Sequence, residues 1–296
     1  MYVVTGITGK VGGSTASALL NAGKKVRGVV RNKARAAHWE KAGVELVTAD
    51  ITDAHTLVEA FRGADGVFVL VPPNFDPLPG FPEARALGAT LKSTLEASRP
   101  ARVVYLSTIG AQASQSNLLT QHTMIEGALS SLPLPLTLLR PAWFMENCSW
   151  DVAPAKDRGV IPSFLQPLDK PVPMVATADI GTVAAQILQE QWSGQRIVEL
   201  EGPKRVTPNE IASTFAQLLG KPVRMEIVPH ESWETLFKSQ GMRNPMPRIR
   251  MLDGFNEGWL EFEGGQSASR KGSVSLELAL KELIERHNGI EDFPTT

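Results

Sequence analysis

The chain is short of cysteine and tyrosine: Cys148 is its one thiol, and Tyr2 and Tyr105 are its only phenols. One thiol forms no internal disulfide, so a cross-linked framework is excluded and a reducing, cytoplasmic setting is expected. Charge of one sign is lacking too. With 30 basic and 31 acidic residues the formal net charge is -1, and no global field recruits nucleic acid or an anionic membrane. No stretch approaches the ~18 consecutive apolar residues of a membrane span, and the opening MYVVTG reads as a strand rather than a basic, apolar leader. The five histidines show no metal-ligand spacing, so no metal site is expected. There is no internal repeat and no low-complexity segment. What remains is a 296-residue chain with 43% hydrophobic and 21% charged residues, enough to bury a large core. The expected partner is a small molecule, with a homodimer possible.

Short apolar runs alternate with helical patterns through the first half. Strands are expected at 2–4, 25–30, 44–47, 66–71, 102–106 and 134–139, with helices at 11–21, 34–41, 53–62, 82–98 and 115–130. Strands apolar throughout suit a sheet covered on both faces. Helices between them imply right-handed crossovers and a doubly wound parallel α/β sheet of Rossmann type. Prolines at 135, 141, 154, 162, 167, 171 and 173 then break the rhythm, and 141–173 reads as loops lining a site. A helix at 178–190 and a strand at 196–200 return the chain to the sheet. Beyond Gly202, a helix at 208–219 with Thr207 as N-cap, a strand at 223–228 and helices at 231–240, 247–260 and 275–287 form a smaller lobe. Residues 264–272 read as a mobile loop. The expected division is a dinucleotide-binding lobe at 1–150, revisited at about 176–200, and a substrate lobe at 151–175 and 201–296.

The segment VVTGITGKVGG spaces Gly6, Gly9 and Gly12 as G-x-x-G-x-x-G between the first strand and the first helix. Glycines here permit a tight turn, approach of a pyrophosphate to bare backbone, and close helix–sheet packing. The free N–H groups and dipole at the helix start then attract phosphate. That context is what the motif requires, and it marks Thr5, Gly6, Thr8, Gly9, Lys10, Val11 and Gly12 as cofactor-binding. After the second strand an NAD site carries an acidic residue for the ribose 2′-hydroxyl. This chain has Arg31 there, followed by Lys33 and Arg35, and a guanidinium suits a 2′-phosphate. NADP(H) is therefore expected. Asp50, with Ile51 beside it, sits where the adenine amine would be met; it serves equally as a turn residue.

TGITGKVGG, VVRN, an apolar strand ending in VPP, another ending in LST, the run LLRPAWFMEN and the stretch EGPKRVTPNEIASTFAQLLGKPV together resemble the NmrA-like branch of atypical short-chain dehydrogenases, over nearly the whole chain. That resemblance implies NADPH-dependent reductases of quinones or triphenylmethane dyes, or non-catalytic redox-sensing regulators. It also implies that Val71, Pro72, Pro73 and Asn74 pass under the adenosine and ribose, and that Pro141, Trp143, Phe144 and Asn147 wall the nicotinamide. Trp143, Phe144, Asn147 and Asn74 are then the substrate-facing residues.

Ordinary short-chain dehydrogenases carry Tyr-x-x-x-Lys on the helix after the fifth strand, the lysine lowering the phenol pKa. Neither tyrosine here lies on a helix or has lysine four residues on. In the matching helix, SNLLTQHTMIEGAL, His122 falls where the similar quinone and dye reductases also hold histidine, and Gly127 stands where some hold lysine. His122 is the candidate to donate a proton, orient a carbonyl or contact the cofactor. Ser107 and Thr108, ending the fifth strand, are candidates to polarise it, or simply end the strand on local backbone. Trp233, Phe237, Met242, Met246, Met251, Phe255 and Trp259 supply apolar mass, as core or as the wall of an apolar pocket. The expected function is hydride transfer from NADPH to a small apolar carbonyl, quinone or conjugated aromatic compound. The alternatives are an NADP(H) sensor and a redox-neutral isomerase or epimerase.

Overall fold

The computed structural model describes residues 1–289; the final residues of the expected substrate lobe, 290–296, lie outside the described residues. The first half alternates as the apolar runs require: β1 (Tyr2–Thr5), α1 (Lys10–Asn21), β2 (Val26–Val30), α2 (Ala37–Lys41), β3 (Glu45–Thr48), α3 (Ala54–Phe61), β4 (Gly66–Val69), α4 (Pro82–Ser98), β5 (Val103–Leu106), α5 (Thr120–Leu129) and β6 (Leu136–Pro141). Then follow β7 (Trp143–Phe144), α6 (Val152–Arg158), β8 (Val160–Ser163), β9 (Met174–Val175), α7 (Thr177–Gln189) and β10 (Gln195–Glu201). The chain closes with α8 (Pro208–Leu219), β11 (Arg224–Ile227), α9 (Trp233–Ser239), α10 (Met246–Glu257), β12 (Arg270–Lys271) and α11 (Leu276–His287).

The main sheet has eight strands in the order β12-β10-β6-β5-β4-β1-β2-β3, every pairing parallel. Val3 lies opposite Arg27 on one side and Val67 on the other. Successive strand residues serve opposite faces, as the pleat demands. Val4, Phe68 and Val104 pack with Val11, Leu19, Ile180 and Leu188 under α1 and α7, while Val3, Val67 and Tyr105 pack with Phe61, Leu91, Leu95, Ile125 and Leu129 under α3, α4 and α5. β1 and β4 are neighbours whose connections leave in opposite directions. The switch point beyond their carboxyl ends is where such sheets take ligands.

Three expectations need correction. Residues 141–173 are more than loops: β7, α6 and β8 form there, because β7 pairs with β9 and β8 with β11. The helix expected from 115 starts only at Thr120, since Asn117 first turns the chain by accepting from the Leu119 amide at 2.8 Å. The glycine-rich 264–272 segment contains β12, tied to the sheet edge by Leu200↔Arg270 and Glu201↔Lys271 pairing and by an ion pair between Lys271 and the buried Glu201. Thr207 caps α8 as expected, in a full capping box with Glu210.

Trp233, Phe237, Ile249 and Leu252 form a separate core cluster. Polar contacts fasten the neighbouring C-terminal segments to the first half of the chain. Asp76, past β4, accepts from the Asn244 amide at 2.7 Å and from Arg243 at 3.0 Å, and Arg250 donates to Gln115 at 2.9 Å.

Candidate active site

The glycine loop occupies the carboxyl end of β1, and its glycines differ in why they are needed. Gly6 has φ +64°, a left-handed conformation that favours glycine. A Cβ on Gly12 would lie 2.1 Å from the Gly6 carbonyl oxygen, so α1 can rest on the turn only without one. Gly9 is different: its φ of -93° and ψ of 170° suit any residue, and a Cβ there would meet only the Gly6 oxygen at 3.4 Å. The chain's own packing therefore leaves the space outside Gly9 clear. Gly9 is also the N-cap of α1, with no side-chain cap and no acidic residue in the first turn. By contrast α3, α8 and α11 are capped by Asp53, Thr207 and Ser275, and the Thr177 amide opening α7 donates to the Glu146 carboxylate at 2.9 Å. An uncapped helix start with its dipole uncompensated, facing a cleared space, is the arrangement a diphosphate requires.

Around this turn the residues divide by what their side chains are free to do. Thr5 is buried, and its hydroxyl both donates to the Leu70 carbonyl at 3.0 Å and accepts from the Leu70 amide at 2.7 Å. It pins β1 to β4 at the switch point, so its hydroxyl is not open to a cofactor. Thr8 and Lys10 are exposed and Val11 is buried. Partial desolvation of the Lys10 amine holds it below its ordinary range, partly countered by the Glu146 carboxylate. Arg31 stands exposed past β2. Asp50, exposed past β3, accepts from the Thr52 amide at 2.9 Å and the Thr52 hydroxyl at 2.7 Å. Those bonds, with Arg31 as a smaller contribution, keep its carboxyl below the usual range. Asp50 Oδ1 thus closes its own turn, with the half-buried Ile51 inside it.

Past β4, Val71, Pro72, Pro73 and Asn74 form one wall of a recess of about 130 Å³ that also takes in Leu87, Leu118, Ile125 and His122. That is close to the ~150 Å³ cavity known to hold benzene. It has room for one ring and lies apart from the glycine loop. Asn74 shapes its rim: its carbonyl accepts from Gln121 Nε2 at 2.9 Å and its Oδ1 from the Asp76 amide at 3.2 Å.

His122 reaches inward from α5 and shares a hydrogen bond of 2.8 Å, through Nδ1, with the Tyr105 hydroxyl of β5. Burial lowers the imidazole pKa to about 4, so His122 is neutral near pH 7 and is not an imidazolium acid there. One helical turn on stands Glu126. Its carboxylate accepts two bonds from Arg140 of β6, at 2.9 and 2.6 Å, and one from the Ser107 hydroxyl at 2.5 Å. All three residues are buried, and Arg140 also reaches Glu263 at 2.8 Å. Ser107 therefore donates to a carboxylate, which corrects its expected role as donor to a carbonyl. The half-buried Thr108 hydroxyl makes no hydrogen bond among the described residues. Glu126 and Arg140 were missed at the sequence level, although a signal existed. An arginine inside the fully buried strand LTLLRP demands a buried counter-charge.

Pro141 ends β6. Trp143 and Phe144 follow as β7, half-buried, with Trp143 edge-on to Phe255 at 5.1 Å. Asn147 is exposed. None of these four lines the recess. Of the apolar residues beyond 230, Trp233 and Phe237 pack the separate C-terminal cluster and Phe255 the main core, whereas Met246 is exposed; the first three are packing residues and none lines the recess.

No group of His, Cys, Asp and Glu among the described residues is arranged to hold a metal, and no helix there is long and apolar enough to cross a membrane. Comparisons with known proteins bear on the fold and the family. Quinone oxidoreductase 2 of Escherichia coli (strain K12) is 24% identical over 247 residues, 82% of each chain. The NAD(P)H azoreductase of Xenophilus azovorans is 25% identical over 245 residues, again 82% of each. The crystal structure of the NADPH-dependent quinone oxidoreductase from Escherichia coli, complexed with NADPH, superposes with a TM-score of 0.79 at 22% identity, covering 96% of this chain and 99% of that one. The NmrA-like family model matches residues 2–269, and the chain belongs to the NmrA-like family.

Proposed function

We propose that this chain is an NADPH-dependent reductase of a small, apolar, conjugated acceptor such as a quinone or aromatic carbonyl. The observation that carries the reading is the cleared, uncapped α1 N-terminus at Gly9. Main-chain amides from Lys10 to Gly12 would hold the diphosphate, with the Lys10 side chain adding charge, and Arg31 the 2′-phosphate that separates NADPH from NADH. Asp50, Ile51 and Val71 to Pro73 would border the adenosine and ribose, and Pro141 and Trp143 the nicotinamide. The names of the quinone and azo reductases it resembles support the same class of cofactor and acceptor.

NADPH, when bound, supplies a hydride to the acceptor, whose oxygen takes the displaced electron pair and then a proton from water. The protein's own contribution is positioning and polarisation. The recess admits one flat ring, and His122 on its wall offers a neutral hydrogen-bond donor to the acceptor oxygen, with Thr108 a second hydroxyl at the end of β5. Trp143, Phe144 and Asn147 would face the remainder of the substrate. A quinone stabilises the charge it receives, which suits a site without the tyrosine–lysine pair. Residues 1–150 and about 176–200 serve the cofactor in this reading, and 151–175 with 201–296 the substrate, in a protein of a reducing compartment.

Steady-state oxidation of NADPH with a panel of quinones, enones and aldehydes tests it; turnover is expected with quinones first. Tight NADP(H) binding with no turnover across the panel would replace the enzyme by a redox sensor, the reading that the missing Tyr-x-x-x-Lys favours. No affinity for either nicotinamide cofactor would overturn both.

A further inference from the structure

We propose that Tyr105 is a positioning residue that fixes the tautomer of His122: its phenol donates to Nδ1, leaving a neutral Nε2–H as the donor presented to the recess. The proposal rests on the reductase reading for what that donor then holds, the oxygen of a carbonyl or quinone acceptor.

Three observations lead there. Tyr105 is completely buried, and among the described residues its hydroxyl has a single hydrogen-bond partner, His122 Nδ1 at 2.8 Å. A phenol carries one proton, and a buried one must be donated. Were Nδ1 the donor, the phenol proton would be buried with no acceptor at all. The bond therefore runs from Tyr105 to His122, and Nδ1 is the bare nitrogen. A neutral imidazole with a bare Nδ1 carries its hydrogen on Nε2. The third observation is placement: the His122 ring lines the recess, and Nε2 makes no hydrogen bond to any described residue.

The surroundings hold this state. Burial, with the Glu126 carboxylate adding to it, pushes the Tyr105 phenol well above its ordinary pKa, so the donor keeps its proton. Glu126, on the same helix, is satisfied by Arg140 and Ser107 and takes no proton from the pair. Glu83, from α4, is the one acidic side chain lining the recess. The ordinary members of the wider enzyme class place a phenol against the substrate and a lysine behind it. Here the imidazole comes forward and the phenol stands behind. An O–H buried under a helix can orient a ring but cannot itself reach an acceptor.

Nitrogen-15 NMR of His122 in the cofactor-free protein tests the pairing without any turnover. Expected are a pyridine-type signal for Nδ1 and a pyrrole-type signal for Nε2. Tyr105→Phe keeps the ring and removes the donor. It is expected to mix the tautomers and lower kcat about three- to tenfold, the worth of one ordinary hydrogen bond, with KM for NADPH unchanged. His122→Gln retains an amide N–H near the Nε2 place, and in that background Tyr105→Phe should cause no further loss. An Nδ1–H tautomer in the wild-type protein, an unchanged spectrum in Tyr105→Phe, or the same fold-loss in the His122→Gln background would each overturn the proposal. If no acceptor is turned over, the reductase reading falls, whereas the nitrogen signals still support or overturn the tautomer assignment by themselves.

Discussion

The β1–α1 turn and the β5–α5–β6 corner both lie at the carboxyl edge of one sheet, yet they are built on opposite terms. At the turn the working surface is made by side chains that are missing. Gly9 and Gly12 carry no side chain that would cover the turn, and α1 starts uncapped. At the corner it is made by polar side chains packed out of water: Tyr105 against His122, and Ser107 and Arg140 against Glu126. The first arrangement is local and repeats in any chain with that spacing. The second exists only when two strands and a helix meet, and every member must find its partner.

Breaking the corner should have the largest effect on the fold. Glu126→Ala leaves the buried Arg140 with only the exposed Glu263 as counter-charge, and a loss of roughly 3 kcal/mol is expected from chemical denaturation; a loss below 1 kcal/mol would show that the Glu126 pair is not closed in solution. The turn should divide between its two glycines. Gly12→Ala forces a Cβ onto the Gly6 carbonyl and is expected to destabilise by up to about 3 kcal/mol. Gly9→Ala should leave the melting temperature nearly unchanged and weaken NADPH binding, measured by titration of its fluorescence. If both variants melt alike, the distinction between packing glycine and ligand glycine is gone.

Arg31→Glu should weaken NADPH by about ten- to a hundredfold, as loss of a charged hydrogen bond does, and leave NADH almost unaffected; equal losses would remove the 2′-phosphate contact. A smaller effect is expected from a carboxyl away from either region. Asp151 is half-buried beside the Cys148 thiol, and burial raises its pKa to about 7. Its folded value lies above the unfolded one, so its contribution is fully present below about pH 4 and is lost as pH rises from there through 7. Asp151→Asn should therefore gain melting temperature over the wild type at pH 8 and much less at about pH 4. His122 has the opposite sign: with a folded value of about 4, its contribution is present above pH 6.5 and is lost as pH falls toward 4. In His122→Gln this acid-side loss of melting temperature should shrink.

The parallel sheet, the positions of its first strands and the glycine turn were legible because each rests on neighbours in sequence. Apolar runs such as VVYL and GVFV can only be central strands, and Thr207 with Glu210 announces a helix start three residues apart. The small elements of 141–173 were not legible. β7 and β8 are held by β9 and β11, which follow many residues later, and prolines conceal such pairing. Ser107 and Thr5 carried hydroxyls in the right places, but which group each hydroxyl would bond was decided by the strand or helix that came to lie beside it.

Residue spacing alone therefore settled the parallel architecture, the bare amides of the opening turn and the basic residue after β2, since backbone conformation and local charge need no distant partner. Tertiary packing decided that Glu126 answers Arg140, that a phenol stands behind His122 and that the Trp233 cluster is core. Each of those is a contest between burial and hydrogen bonding, settled only when segments far apart in the chain exclude water from one another.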